Sequence, residues 1–389
     1  MNIGTIRMVV IFNQFFKDNY VPDTVIASAP GRVNILGNPT DALEGAYAVI
    51  AAAIQMRAYV NLRQSGNLRV ARMNEEKSYT FIRDLCENYS GIPRLFRSAL
   101  RVLKHYFPGM ARQIMRDKPD VLYDTEIPPE SGLAGSTALV AAFMEALRSA
   151  YGFDRRRLND YIMAELVQRA EEDAGIVCGY ADRYVCVMGG LAYMDFRGKL
   201  LHRPLRREPL ATYERLEKYV DYIPLLICYL GVRRSSGDVH RRFRAAYMRE
   251  WERARRGEKS EMVKVMRKVG FTAMMGKYAL LEQDWETFGR LMNLNHRLVD
   301  KAMRLAGFKD GAGYYNNAVI SYALKNGAFG AKLSGAGGGG SVIILVDPDH
   351  EEEWREKLSR YMKSIGLIRS NVFTLNISEA GVKSAIHPS

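Results

Sequence analysis

The chain has 389 residues, 48% of them hydrophobic and 25% charged, with 56 Lys and Arg against 43 Asp and Glu for a formal net charge of +13. That balance is globular and long enough for two domains, and no apolar run reaches membrane-spanning length. The basic excess suits an anionic partner, but there is no zinc-finger spacing, RNP-type motif or basic heptad, so a nucleic-acid reading rests on charge alone. Cys86, Cys178, Cys186 and Cys228 are spread without a CxxC. This is the usage of a reduced, cytoplasmic chain, not of a disulfide framework or zinc site.

Taken in order, residues 1–24 read as an N-terminal extension, whose apolar patch Met8 to Phe12 is too short for a signal-peptide core. Val25 to Ser28 reads as a short strand. The small apolar run Gly45 to Ile54 reads as two successive strands. Arg57 to Leu62 and Leu68 to Arg72 read as a strand pair around the turn cluster Gln64 to Asn67. Pro93 to Tyr106 has helical spacing, Val121 to Ile127 is a strand, and Leu158 to Asp173 is an amphipathic helix. Gly189 to Phe196 is a turn and strand, and Tyr222 to Leu230 a buried strand. Helix dominates from Val239 to Met303, with breaks expected near Gly257 and Gly276. Phe329 to Leu333, a glycine tract and Val342 to Val346 form a strand–loop–strand unit. A charged helix, Glu351 to Lys363, and a strand, Asn371 to Ile377, close the chain. Strands and helices mix without regular alternation, which predicts an α+β protein of two domains, 25–205 and 206–389, joined near Leu200 to Leu210.

The most informative stretch is Pro128 to Leu147, PPESGLAGSTALVAAFMEAL. Pro129, Ser131, Gly132, Leu133, Ala134, Gly135, Ser136 and Thr137 form a small-residue loop running into a breaker-free helix. Glycines let a backbone approach a ligand closely. The first helical N–H groups lack intrahelical partners and favour phosphate. Ser136 and Thr137 are N-cap types that also offer hydroxyls to phosphate or Mg²⁺. An ordinary capped turn reads the same way on its own. The tract Gly335 to Gly340 fits GxGxxG, but the strand SVIILV follows it where a dinucleotide site needs a helix.

Three stretches in order, APGRVNILGNPTD (Ala29 to Asp41), PPESGLAGSTA and KLSGAGGGGS (Lys332 to Ser341), resemble the three motifs of the GHMP kinases. That resemblance implies a two-domain GHMP kinase fold, with an N-terminal half like ribosomal S5 domain 2 and a ferredoxin-like C-terminal α/β sandwich. It also implies ATP and Mg²⁺ as cofactors. By the same resemblance Asp182, in Gly179-Tyr180-Ala181-Asp182, is the catalytic base and Arg32 its fixed cation. Glu171, eleven positions earlier, holds the metal with Thr137, and the loop 129–137 binds ATP. Asp41, Asn38, Gly179, Gly335 and Gly337 fall on the substrate side, with Tyr247 a candidate that reads equally as helix core. GNPTD, GLAGSTA, GIVCGYADR, VMGGLAYMDF and SSGDVHRRFR resemble the glucuronokinase branch, which implies a free sugar acid phosphorylated on its anomeric hydroxyl. Galactokinases carry Glu-His where this chain has Asn38-Pro39. Losing that acid favours an anionic sugar, with Arg183, Arg233 and Arg234 as cations for its carboxylate. A neutral-sugar, heptose or mevalonate-type kinase and a non-catalytic sugar sensor are the alternatives. The partner expected is a small-molecule sugar or sugar acid, without nucleic acid or membrane, for a monomer or homodimer.

Overall fold

A computed structural model describes residues 24–43, 48–73, 75, 78–176, 179–199, 205–207, 209–232 and 236–387. Residues 1–23 of the N-terminal extension, Arg233 and Arg234 lie outside the described residues. The elements are β1 (Thr24–Leu36), β2 (Ala48–Arg63), β3 (Arg69–Arg72), β4 (Tyr79–Phe81), α1 (Gly91–Tyr106), α2 (Pro108–Asp117), β5 (Asp120–Thr125), α3 (Gly135–Ala150), α4 (Asp160–Asp173), α5 (Ala181–Met188), β6 (Leu191–Asp195), β7 (Thr212–Arg215), β8 (Leu225–Tyr229), α6 (Ser236–Arg255), α7 (Glu261–Leu281), α8 (Trp285–Leu305), α9 (Tyr314–Lys325), β9 (Gly330–Leu333), β10 (Ser341–Leu345), α10 (Glu351–Ser364), β11 (Asn371–Thr374) and β12 (Lys383–His387).

Eight strands form the first sheet, in the order β12-β1-β2-β5-β3-β4, with β6 on the far end of β2 and β7 on β6. The second sheet is antiparallel, β11-β8-β10-β9. All thirteen residues of β1 are buried. Its polar residues, Thr24, Ser28, Arg32 and Asn34, are buried with the apolar ones. The strand passes through Pro30 and Gly31 with register shifts between Pro30 and Arg32 and between Asn34 and Leu36. Shifts of this kind re-aim side chains near functional sites, and here they fall on the motif that carries Arg32. Small residues on β2 (Ala51, Ala52, Ala53) and on α3 (Ala138, Ala141, Ala142) are fully buried. They let the helix lie close on the sheet.

Several expectations are corrected. Gly45 to Ile54 is not two strands; its described part belongs to the single strand β2. The short strand at Val25 to Ser28 runs on through the first motif to Leu36. β2 and β3 do not pair; β5 lies between them, antiparallel to β2 and parallel to β3. Gly276 does not break a helix. It lies inside α7, where a Cβ would come within 2.2 Å of the Leu36 side chain. Close helix–strand approach, not chain reversal, accounts for that glycine. The helix ends instead at Leu281, the chain reverses through Gln283, which has positive φ, and Asp284 caps α8 through Thr287 N. Finally, β7 and β12 belong to the first sheet, so residues 206–389 do not keep to a sheet of their own. Among the described residues no helix is long and apolar enough to cross a membrane.

Arg57 fastens the returning C-terminal segment. From β2 its guanidinium donates to Ser28 O (3.2 Å), Ser378 Oγ (3.1 Å) and the carbonyls of Ala380 (3.2 Å) and Gly381 (2.5 Å). Arg57→Met removes these four hydrogen bonds, among them that to the buried Gly381, at roughly 1–3 kcal/mol. We expect a lower thermal midpoint and earlier proteolytic clipping after residue 375. Arg57→Lys recovers little, because an ammonium cannot reproduce the fork. Differential scanning calorimetry and timed proteolysis check this.

Candidate active site

The three glycine-bearing motifs meet around one ion pair. Arg32 Nε donates to Asp182 Oδ1 at 2.6 Å and Nη2 to Oδ2 at 2.5 Å. Its third nitrogen, Nη1, donates to Gly132 O at 2.6 Å. The Arg32 backbone N–H donates to Leu133 O at 3.0 Å. A planar guanidinium with several donors is the group suited to such simultaneous contacts. Burial alone would raise the Asp182 carboxyl, but the Arg32 and Arg183 charges outweigh it and hold Asp182 below its ordinary value. The Asn34 amide adds a long contact to Asp182 Oδ1 at 3.4 Å.

Asp182 sits in the first turn of α5, a short helix that sequence periodicity missed. Asp41 fixes this end by accepting from Ala181 N at 2.9 Å. The same carboxylate dictates Gly179, where a Cβ would lie 2.0 Å from Asp41 Oδ2. Burial and then the neighbouring Asp182 raise Asp41 to about 6. Asp41 and Gly179 are thus parts of one packing arrangement behind Asp182.

The central loop enters α3 through Ala134, which has φ +63° and makes no side-chain cap. Gly135, Ser136 and Thr137 form the first turn, so the expected Ser/Thr cap is corrected. Both hydroxyls turn instead to Glu171, Ser136 Oγ to Oε1 and Thr137 Oγ1 to Oε2, each at 2.8 Å. The fully buried Arg183 ion-pairs with Glu171 Oε2 and donates to Gly179 O. One carboxylate and two hydroxyls are too few for an all-protein cage, and among the described residues no cluster of three or more His, Cys, Asp or Glu gathers to hold a metal. Mg²⁺, which keeps few protein ligands and takes substrate phosphate oxygens, fits this donor set.

The second glycine loop lies against the first. A Cβ on Gly335 would come within 3.0 Å of Gly132 Cα, and Ser341 Oγ donates to Ser131 O at 2.8 Å. Gly337 faces away, against Ala312 O. Pro129 is at the exposed mouth, its carbonyl 3.5 Å from the Tyr229 hydroxyl. Glycine pairing thus brings the two loop backbones into direct contact beside the Arg32–Asp182 pair.

Lys332, within a stretch already singled out, was not identified as a site residue. Its Nζ is buried and donates to Asn38 Oδ1 (2.8 Å), Asn34 O (3.2 Å) and Leu333 O (2.6 Å). Asn38 in turn donates to Ser334 O at 3.1 Å, and Ser334 Oγ accepts from Asn34 N at 3.2 Å. Burial, then the Arg32 charge, lowers Lys332 to about 7. A lysine inside an otherwise small and apolar run, AFGAKLSGAG, was the available signal. His240 was also missed. It lines a small pocket with Pro39, Phe243, Gly335 and Ala336, and burial lowers it to about 4. Tyr247 is 0% exposed in the core beside Phe243 and stacks on Trp251. This is the helix-core position that was the alternative for it.

Residues 94–190 match the family described as GHMP kinases N terminal domain, residues 277–364 match GHMP kinases C terminal, and residues 11–64 match the galactokinase galactose-binding signature. The chain is 28% identical to Glucuronokinase 1 of Arabidopsis thaliana over 343 residues, covering 84% of this chain and 87% of that one. It is 27% identical to the galactokinase of Chloroflexus aggregans, covering 86% of each chain. Its fold is similar to that of Lactococcus lactis galactokinase complexed with galactose, with TM-score 0.76 at 17% identity over 97% of this chain and 99% of that one. The two glycine loops closing on the Arg32–Asp182 pair are those of a phosphotransferase, and the chain belongs to the GHMP kinases, with their two-domain mixed α/β fold.

Lys332 gives the site a measurable pH signature. Its folded value, about 7, lies below the ordinary 10.5. Between those values the unfolded chain holds a proton that the folded chain lacks, so stability rises with pH; below about 7 both states hold it and the contribution is flat. Lys332→Met removes this slope and, by leaving Asn38 Oδ1 unpaired, lowers stability by roughly 1–3 kcal/mol. Urea midpoints of both proteins from pH 6 to 10 check it, and parallel curves would overturn it.

Proposed function

We propose that this chain transfers the γ-phosphoryl group of ATP to a sugar hydroxyl, with the anomeric hydroxyl of a uronic acid such as D-glucuronate as the acceptor. The observation that carries the phosphotransferase reading is the carboxylate of Asp182, held on two oxygens by Arg32 between two glycine loops. ATP would lie along Ser131 to Thr137, and Glu171 with Thr137 would hold Mg²⁺, which neutralises phosphate charge when bound. Asp182 accepts the hydrogen bond of the acceptor hydroxyl and orients it. Its depressed pKa suits a group that positions the hydroxyl and takes the proton late. Arg32 keeps the carboxylate ionised and offsets developing negative charge. Asp41 and Gly179 position α5, and Asn38 with Lys332 shapes the wall opposite.

The uronic-acid reading is supported by the ordered motifs GNPTD, GLAGSTA, GYADR and VMGGLAYMDF and by the similarity to Glucuronokinase 1. Arg183 is engaged by Glu171 and is withdrawn as the cation for a substrate carboxylate, which leaves Arg233 and Arg234. The galactokinase-type match over residues 11–64 favours a neutral hexose as the second reading. Asp182→Asn should lose at least ~10³-fold in kcat while nucleotide affinity, read by calorimetry, stays within a few-fold; near-normal turnover removes Asp182 from this role. The substrate is tested by kcat/KM for glucuronate, galacturonate, glucose, galactose and mannose, with the phosphorylated position read by NMR. A uronic acid is expected to lead its neutral hexose by ~10²-fold, the value of a desolvated charge-assisted pair. A lead by a neutral hexose leaves only the broader sugar-kinase reading.

A further inference from the structure

The outer face of α7 presents large apolar side chains to solvent. Phe271 is 55% exposed and Tyr278 69%, and Met274, Met275 and Leu281 are exposed beside them. With Lys264 and Arg267, also exposed, the outward residues are 264, 267, 271, 274, 278 and 281, separated by alternating steps of three and four. That is the spacing of a coiled-coil seam, and it lies opposite the face that packs on Leu36 through Gly276. Contiguous exposed apolar surface of this kind marks an interaction site.

We propose that this seam docks a second copy of the chain, with the two α7 helices antiparallel about a two-fold axis at the level of Gly276. The charge distribution selects this occupant. The N-terminal half of the seam is basic (Lys264, Arg267, Lys268), and the chain just past its C-terminal end is acidic (Glu282, Asp284, Glu286). A two-fold antiparallel pairing directs each basic half toward the other copy's acidic end, with Lys264 and Arg267 reaching past the partner's Leu281, the self-complementarity an isologous interface requires. In that register Phe271 meets the partner's Leu281, Met274 meets the partner's Tyr278, and Lys268, at a flanking position, approaches the partner's Glu282. A parallel pairing would stack the basic halves on each other, and an anionic membrane would be repelled by the acidic end.

Sedimentation velocity on the full chain tests this without reference to catalysis. At roughly 10 µM, a concentration at which a specific interface of micromolar affinity or better is populated, the wild type should sediment at twice the 44.0 kDa chain mass. Lys268→Glu and Glu282→Lys should each return the chain to the monomer mass with an unchanged melting curve, and the double variant should restore the dimer. A wild type that stays monomeric at ten times that concentration overturns the proposal. So does a dimer indifferent to either charge reversal, or a double variant that remains monomeric. Monomeric protein that pellets with phosphatidylserine vesicles would assign the face to a membrane instead.

Discussion

The contact on which the site depends is the fork of Arg32. One guanidinium joins β1, the first turn of α5 and the carbonyl of the central loop, elements separated by 100 and 150 residues in sequence. A buried ion pair is weak evidence of net stability, since desolvation offsets much of the attraction, but removing one partner leaves an uncompensated charge. The pair is therefore better understood as a device that fixes position. Arg183 repeats the logic a residue further on, tying Glu171 to the carbonyl of Gly179. Two adjacent helical positions, Asp182 and Arg183, thus face the two halves of the site.

The glycines make those contacts possible by what they lack. Gly132 and Gly335 bring two loops into backbone contact, Gly179 admits the Asp41 carboxylate, and Gly276 admits Leu36. Each is a place where one added carbon would separate elements the site needs together. Gly276 and its neighbour Ala273, whose Cβ would lie 2.9 Å from one on Gly37, make the inner face of α7 the support for the loop that carries Asn38. Helix α7 thereby packs directly on the segment that leads into Asn38.

How much of this was legible in the sequence follows from how local each determinant is. The glycine loop and α3 could be read because loop, breaker pattern and helix are contiguous, and Glu171 and Asp182 because the family resemblance fixes their spacing. Helix α5 was missed because its eight residues span barely two turns, too few for a period to show. The false β2–β3 hairpin came from a genuine turn cluster; Ser65 Oγ binds Asp120 Oδ1 at 2.6 Å, and this belongs to the crossing to β5. Strand β12 pairs with β1 across more than 350 residues, and no local pattern announces that. Lys332 was legible as an anomaly and silent as to role, since Asn34 and Asn38 lie on β1 and the loop after it, nearly 300 positions away.

The overall charge of +13 explains less of the site than it suggests. Buried at the site, three cations, Arg32, Arg183 and Lys332, stand among three acids, Asp41, Asp182 and Glu171. Two of these six are pushed toward neutrality by the same cause, burial: Lys332 falls to about 7 and Asp41 rises to about 6. Lys332 bonds Asn38 on the loop after β1, and Asp41 the first turn of α5. An anion entering between the loops would favour the proton on Lys332, because an opposite charge nearby stabilises the ionised ammonium, and would favour it on Asp41 because a like charge opposes the carboxylate. Both responses add positive charge where the anion adds negative. Burial by the fold, not the chain's overall charge, thus sets which groups around the Arg32–Asp182 pair answer an anion.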